Sequence, residues 1–158
     1  MTQTVHRGEC RCGAVQMQVA AAPVITMACH CRGCQRMSSS AFSLSAMVPA
    51  AAFAVISGTV EKGGAHTDGL DHYCCPNCKS WLFTRIGGVE DLVNVRPTMF
   101  DDPAWSQPFL ETMTAEKLSW ATTPAEHSYE GFPPMEDFPR LMQAFAARGQ
   151  AGPRVSSP

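Results

Sequence analysis

G-E-C-R-C-G at residues 8–13, answered by C-P-N-C at residues 75–78, is the pairing on which the fold turns. C-x-C and C-x-x-C each let one tight turn present two sulfurs, and zinc, which has no geometric preference of its own, accepts four thiolates tetrahedrally. The two stretches lie far apart in the chain. One metal held by Cys10, Cys12, Cys75 and Cys78 would therefore pin the first strand to a later hairpin, which is how a small β domain gains stability from metal. A redox pair is the competing use of C-x-x-C, but no βαβ pattern surrounds Cys75. Buried free thiols are the other, and paired knuckle spacings weigh against them.

Between the two stretches stands C-H-C-R-G-C, residues 29–34, with three cysteines in six residues. Cys29, Cys31 and Cys34 would leave a tetrahedral zinc one position short. An open position separates a catalytic zinc from a structural one, because a thiol or water can enter it and lose a proton to the metal's charge. The eighth cysteine, Cys74, could fill the vacancy. If Cys75 points at the first metal from a strand end, however, Cys74 points to the opposite face, and a small core residue is its blander role. His30 could replace a cysteine as ligand, although as the neighbour of two ligands it more often points away. His6, His66, His72 and His127 show no ligand spacing.

Around these clusters the apolar residues alternate, in Val15, Met17 and Val19 and again in Phe42, Leu44, Ala46 and Val48. Period two means half-buried strands. Further strands are expected at residues 53–56, 72–74, 81–84 and 92–95. Gly58, Gly63-Gly64, Asp68-Gly69 and Gly87-Gly88 punctuate them as turns. The tail differs: Leu141, Ala144 and Phe145 recur at helical spacing, Pro139 suits a first turn and Gly149 reads as a stop. The expectation is one mainly β domain over residues 1–148, closed by a helix at 138–148, with a disordered tail at 149–158.

With 158 residues, 45% of them hydrophobic, the chain can fill one core of ordinary size. A net charge of -2, from 12 Lys+Arg against 14 Asp+Glu, offers no footprint for a phosphate backbone, so nucleic acid is not an expected partner. The apolar stretch at residues 42–56 is broken by Ser43, Ser45 and Pro49 and falls short of the ~20 residues of a membrane span. The first residues carry no apolar core of a secretory signal. A cytoplasmic location is expected, where thiols stay reduced and metal binding is the leading use of eight cysteines.

G-E-C-R-C-G-A-V, C-H-C-R-G-C-Q-R, C-P-N-C and a later F-D-D-P together resemble the glutathione-dependent formaldehyde-activating family, which also includes centromere protein V. The resemblance runs over residues 8–120. It implies a β-tent zinc-binding fold of short antiparallel sheets and two zincs per chain, a structural one on Cys10, Cys12, Cys75 and Cys78 and a catalytic one on Cys29, Cys31 and Cys34. It further implies a carbon-sulfur lyase that joins glutathione to formaldehyde as S-hydroxymethylglutathione. Arg32 and Arg36 flank the middle cluster and are candidates to clamp glutathione carboxylates. Three positions depart from the family pattern: Lys79 where a glycine commonly follows C-x-x-C, Cys74 where an aromatic is common, and Glu111 near a usual histidine. Trp81, Trp105 and Trp120 are candidates for a groove wall, with core packing the blander reading, and Asp101 and Asp102 read as a turn before Pro103. Two competing functions remain open: a non-catalytic zinc module that binds a protein, and a redox sensor built on the middle thiols.

Overall fold

The computed structural model describes residues 5–65 and 69–150; His66 and, of the expected tail at 149–158, residues 151–158 lie outside them. Within the described residues the fold is mainly β, in two sheets. The smaller is antiparallel, from β1 (His6–Glu9), β2 (Gln16–Val19) and β5 (Phe53–Ser57). The larger contains β3 (Ile25–Cys29), β4 (Ser43–Pro49), β6 (Glu61–Lys62), β7 (Leu70–Cys74), β8 (Trp81–Ile86), β9 (Leu92–Val95), β10 (Leu110–Thr112) and β11 (His127–Ser128). Its spatial order is β11-β10-β3-β4-β9-β8-β7-β6. Pairing is antiparallel except at β10, which runs parallel to both β3 and β11. Two α-helices complete the frame, α1 (Arg32–Ser38) and α2 (Phe138–Gln150).

Directly paired residues share a face of a sheet, and the register sorts the large sheet into two cores. On one face Ala46, Val48, Phe83, Val93 and Val95 pack with Met17, Val19 and Phe53 of the small sheet, and Cys10 and Cys75 belong to the same cluster. On the other face Ile25, Met27, Met47 and Leu110 lie beneath Leu141 of α2. Cys29 pairs with Ser43 and with Thr112. Ser43 alternates with Ser45 and Met47, so the middle cluster opens on this second face.

The alternation in β2 is realised: Met17 and Val19 are buried and Gln16 is exposed. In β4 it is not, since Ser43, Ser45 and Met47 are buried beside Ala46 and Val48. That strand is central, between β3 and β9, and is covered on both faces. For the same reason β3, reading I-T-M-A-C, gives no period to find. Expected strands at 53–56, 72–74, 81–84 and 92–95 all exist. The closing helix runs to Gln150, past Gly149; a glycine in a last exposed turn costs only about 1 kcal/mol, so it does not stop the helix.

Candidate metal centres

Cys10 leaves β1 into a tight turn in which Gly13 N–H donates to the Cys10 carbonyl at 2.9 Å. Gly13 sits at φ +76°, so the turn needs its freedom. Cys75 and Cys78 occupy the turn between β7 and β8, closed by Lys79 N–H to the Cys75 carbonyl and Cys75 N–H to the Ser80 carbonyl, both 3.0 Å. These turns bring the four sulfurs of Cys10, Cys12, Cys75 and Cys78 within 4.8 Å of one another. The Cys10 and Cys12 sulfurs lie 3.6 Å apart, and those of Cys12 and Cys75 3.8 Å. Donors converge on the sulfurs: Val15 N–H on Cys10 (3.3 Å), Asn77 Nδ2 on Cys12 (3.3 Å) and Cys78 N–H on Cys75 (3.5 Å). Hydrogen bonds to a thiolate favour the charged form; the Ser80 hydroxyl foremost holds Cys78 down to about 5, and Asn77 foremost lowers Cys12.

The second set is built by one short segment. Cys29 ends β3, Cys31 caps α1 with its sulfur accepting the Cys34 N–H at 3.3 Å, and Cys34 lies in the first turn of that helix. The three sulfurs again lie within 4.8 Å of one another, and all three residues are half-buried. The thiol of Cys34 foremost holds Cys29 down to about 5, against the opposing effect of burial, while Cys34 is pushed up. A group of four soft donors and a group of three are each arrangements that can hold a metal ion. Cys74 belongs to neither group. It is buried at the end of β7, and Tyr73 before it packs on Phe83 in the first core.

A family model for the glutathione-dependent formaldehyde-activating enzyme, GFA, matches residues 5–116, well over half of the chain. This chain belongs to the GFA family. Among solved structures, a Rhodobacter sphaeroides protein is similar over 78% of this chain and 98% of its own, with 17% identity and a TM-score of 0.50; at that identity the likeness concerns the fold alone. Among curated proteins, none matches the chain significantly.

Each departure from the GFA pattern has a local consequence. Lys79 stands in the left-handed region at φ +60°, where a glycine is free of strain; its ammonium reaches the Glu61 carboxylate. Glu111 accepts from His30 Nε2 at 3.0 Å, from Lys117 Nζ at 2.9 and 3.1 Å, from the Thr123 hydroxyl at 2.8 Å and from Ser128. His30 is fully buried with its ring on this carboxylate, and it joins neither cysteine group. Its backbone N–H donates to the Thr112 carbonyl and its carbonyl accepts from Gln35 Nε2, so the residue between Cys29 and Cys31 is held at three points.

Arg32 and Arg36 line an open depression of about 420 Å³ with Gln35, Leu118 and Trp120. They share one side of α1, whereas Cys34, two residues from each, lies across the helix. Trp120 is 72% exposed on the rim. Trp105 packs instead against Phe100 and His6. Asp102 Oδ1 accepts the Ala104 N–H at 3.0 Å, so that pair of aspartates is indeed a turn.

Composition and spacing did not draw attention to Arg96. It is buried, with Nη1 donating to the Leu44 carbonyl at 3.1 Å, Nη2 to Thr84 Oγ1 at 3.0 Å, and its guanidinium 3.4 Å over the Trp81 ring. A bulge makes room for this stack. Cys74 pairs with Trp81 and Tyr73 with Phe83, leaving Leu82 extra. Leu82 and Phe83 both enter the first core, and Trp81 and Thr84 both face His72 and Arg96 on the other side. Such re-aiming of a side chain is a common use of a bulge. No helix among the described residues is long and apolar enough to cross a membrane.

Proposed function

We propose that this chain is a zinc-dependent enzyme of the carbon-sulfur lyase type, which joins glutathione or a related thiol to a small aldehyde. One observation carries the reading: seven sulfurs divide into four and three, and Cys74, the only other cysteine, joins neither set. All-thiolate donors fit zinc. Cys10, Cys12, Cys75 and Cys78 would hold a structural ion, and Cys29, Cys31 and Cys34 a second one with a place to spare. Zinc there would supply the positive charge that lets an entering thiol give up its proton at neutral pH.

The remaining work falls to the chain. The half-buried setting of the three cysteines admits a ligand while limiting water. The sulfur adds to the carbonyl carbon, a carbon–sulfur bond forms as the C=O π bond breaks, and the oxygen takes up the proton that the thiol released. His30, locked by Glu111, Thr112 and Gln35, keeps the two flanking cysteines in register. Arg32 and Arg36, across α1 from Cys34, are the groups to meet the carboxylates of a thiol long enough to reach around that helix, and Trp120 gives their depression a flat wall.

The test is to add glutathione, and separately unrelated thiols, to zinc-loaded protein with formaldehyde and follow adduct formation by NMR. Glutathione-dependent acceleration over the spontaneous reaction, lost in Cys31→Ser, is the expected result. No response to any thiol would favour the second reading, a zinc-stabilised module that binds a protein. The exposure of Trp120, Phe132 and Met135, at 72%, 60% and 68%, is what speaks for that alternative.

A further inference from the structure

Arg96 stands apart from the other cations of this protein. It is 7% exposed, and among the described residues no carboxylate pairs with it. Its partners are neutral: a carbonyl, a hydroxyl and an indole face. Its Nε has no partner at all. A buried charge left without an opposite one costs several kcal/mol, so a fold that keeps such a residue must place anionic charge near it.

Arg96 and the middle cysteines share one face of the large sheet: Thr84, which accepts from Nη2, pairs with Asn94, Asn94 pairs with Met47, and Met47 alternates with Ser45 and Ser43. Leu44, whose carbonyl accepts from Nη1, adjoins Ser43, and Ser43 lies directly opposite Cys29 on the neighbouring strand. Burial pushes the guanidinium down to about 10, against the opposing pull of the sulfurs of Cys34, Cys29 and Cys74, so it stays a cation at neutral pH. The four-cysteine set is handled differently. Val15, Asn77 and Cys78 donate hydrogen bonds to its sulfurs and Cys12 faces solvent, so that site needs no buried cation.

We propose that Arg96 is the buried countercharge of the three-cysteine site and sets how firmly that site holds metal. The inference rests on the reading that a zinc ion sits there. Three thiolates on a divalent ion leave one negative charge, which one guanidinium offsets. An entering thiolate adds another, and the same guanidinium then lowers the cost of accepting an anionic fourth ligand. Arg96 acts through the cysteines and touches no substrate, so it is a positioning residue. The Trp81 stack, made possible by the bulge in β8, fixes where its charge lies.

The test compares wild type, Arg96→Met and Arg96→Lys as full-length, zinc-loaded chains. Zinc loss to a competing chelator is followed for each site, and circular dichroism reports the fold. Arg96→Met should release one zinc about 10- to 100-fold more readily, as loss of a neighbouring support to a metal site does. The zinc on Cys10, Cys12, Cys75 and Cys78 should stay unchanged, and Arg96→Lys should keep both ions within a few-fold of wild type. Two ions held by Arg96→Met as firmly as by wild type would overturn the proposal, and so would parallel loss of both, which marks a merely structural residue. If Arg96→Met does not fold, the Lys variant decides: it must retain the second zinc, and selective loss of it overturns the proposal. A wild type that binds one zinc only would overturn the reading beneath it as well.

Discussion

Glu111 shows what a single residue does here. A carboxylate this buried would ordinarily be raised; burial pushes it up, and Lys117, Ser128, Thr123 and His30 together bring it down to about 2. Because the folded value lies below the unfolded one, the carboxylate contributes stability that is fully present above about pH 4.5 and is lost as pH falls through 2. Glu111→Gln should cost about 2–4 kcal/mol at neutral pH, since Lys117 and His30 lose a charged partner. It should also flatten the acid limb of the stability curve between pH 4.5 and 2; urea melts at several pH values would read both. An acid limb as steep as wild type would remove Glu111 from this role. None of this hub is readable from the sequence, where Glu111 stands 81 positions from His30. Arg96 escapes sequence reading for the same reason, since its neighbours are assembled from β4 and β8 and a bulge.

At the scale of elements, legibility follows exposure. Strands with one wet face, such as β2, announce themselves by alternation, and the turns by glycine. β3 does not, being covered on both sides, and α1 does not, because its cap is a cysteine rather than a usual serine or aspartate. β10, the parallel strand, is three residues long and offers too little pattern. The cysteine turns are the best-read elements, because metal-ligand spacing is a local constraint that survives without knowledge of the rest. The β7–β8 turn carries one strained departure, Lys79 at φ +60°. Lys79→Gly should relieve the left-handed strain and lose only an exposed ion pair with Glu61, for a net gain of about 0.5–1 kcal/mol in a denaturant melt. A loss of stability would mean that the ion pair outweighs the strain.

Across the whole molecule the two cysteine sets sit on different faces, and the proposed division of labour between them follows from that placement. Cys10 and Cys75 adjoin the core between the two sheets, so an ion there ties β1 to the β7–β8 hairpin across 65 positions of sequence. A structural zinc can bring on the order of 10 kcal/mol into folding, comparable to the whole stability of a small domain. Cys29, Cys31 and Cys34 come from one segment, and an ion on them closes no long loop. The division of labour is therefore tested by counting zinc in folded Cys31→Ser beside wild type, by elemental analysis with circular dichroism on the same samples. Two ions in wild type and one in a variant of unchanged fold is the expected result. One ion in wild type, or a Cys31→Ser chain that is unfolded, would contradict it.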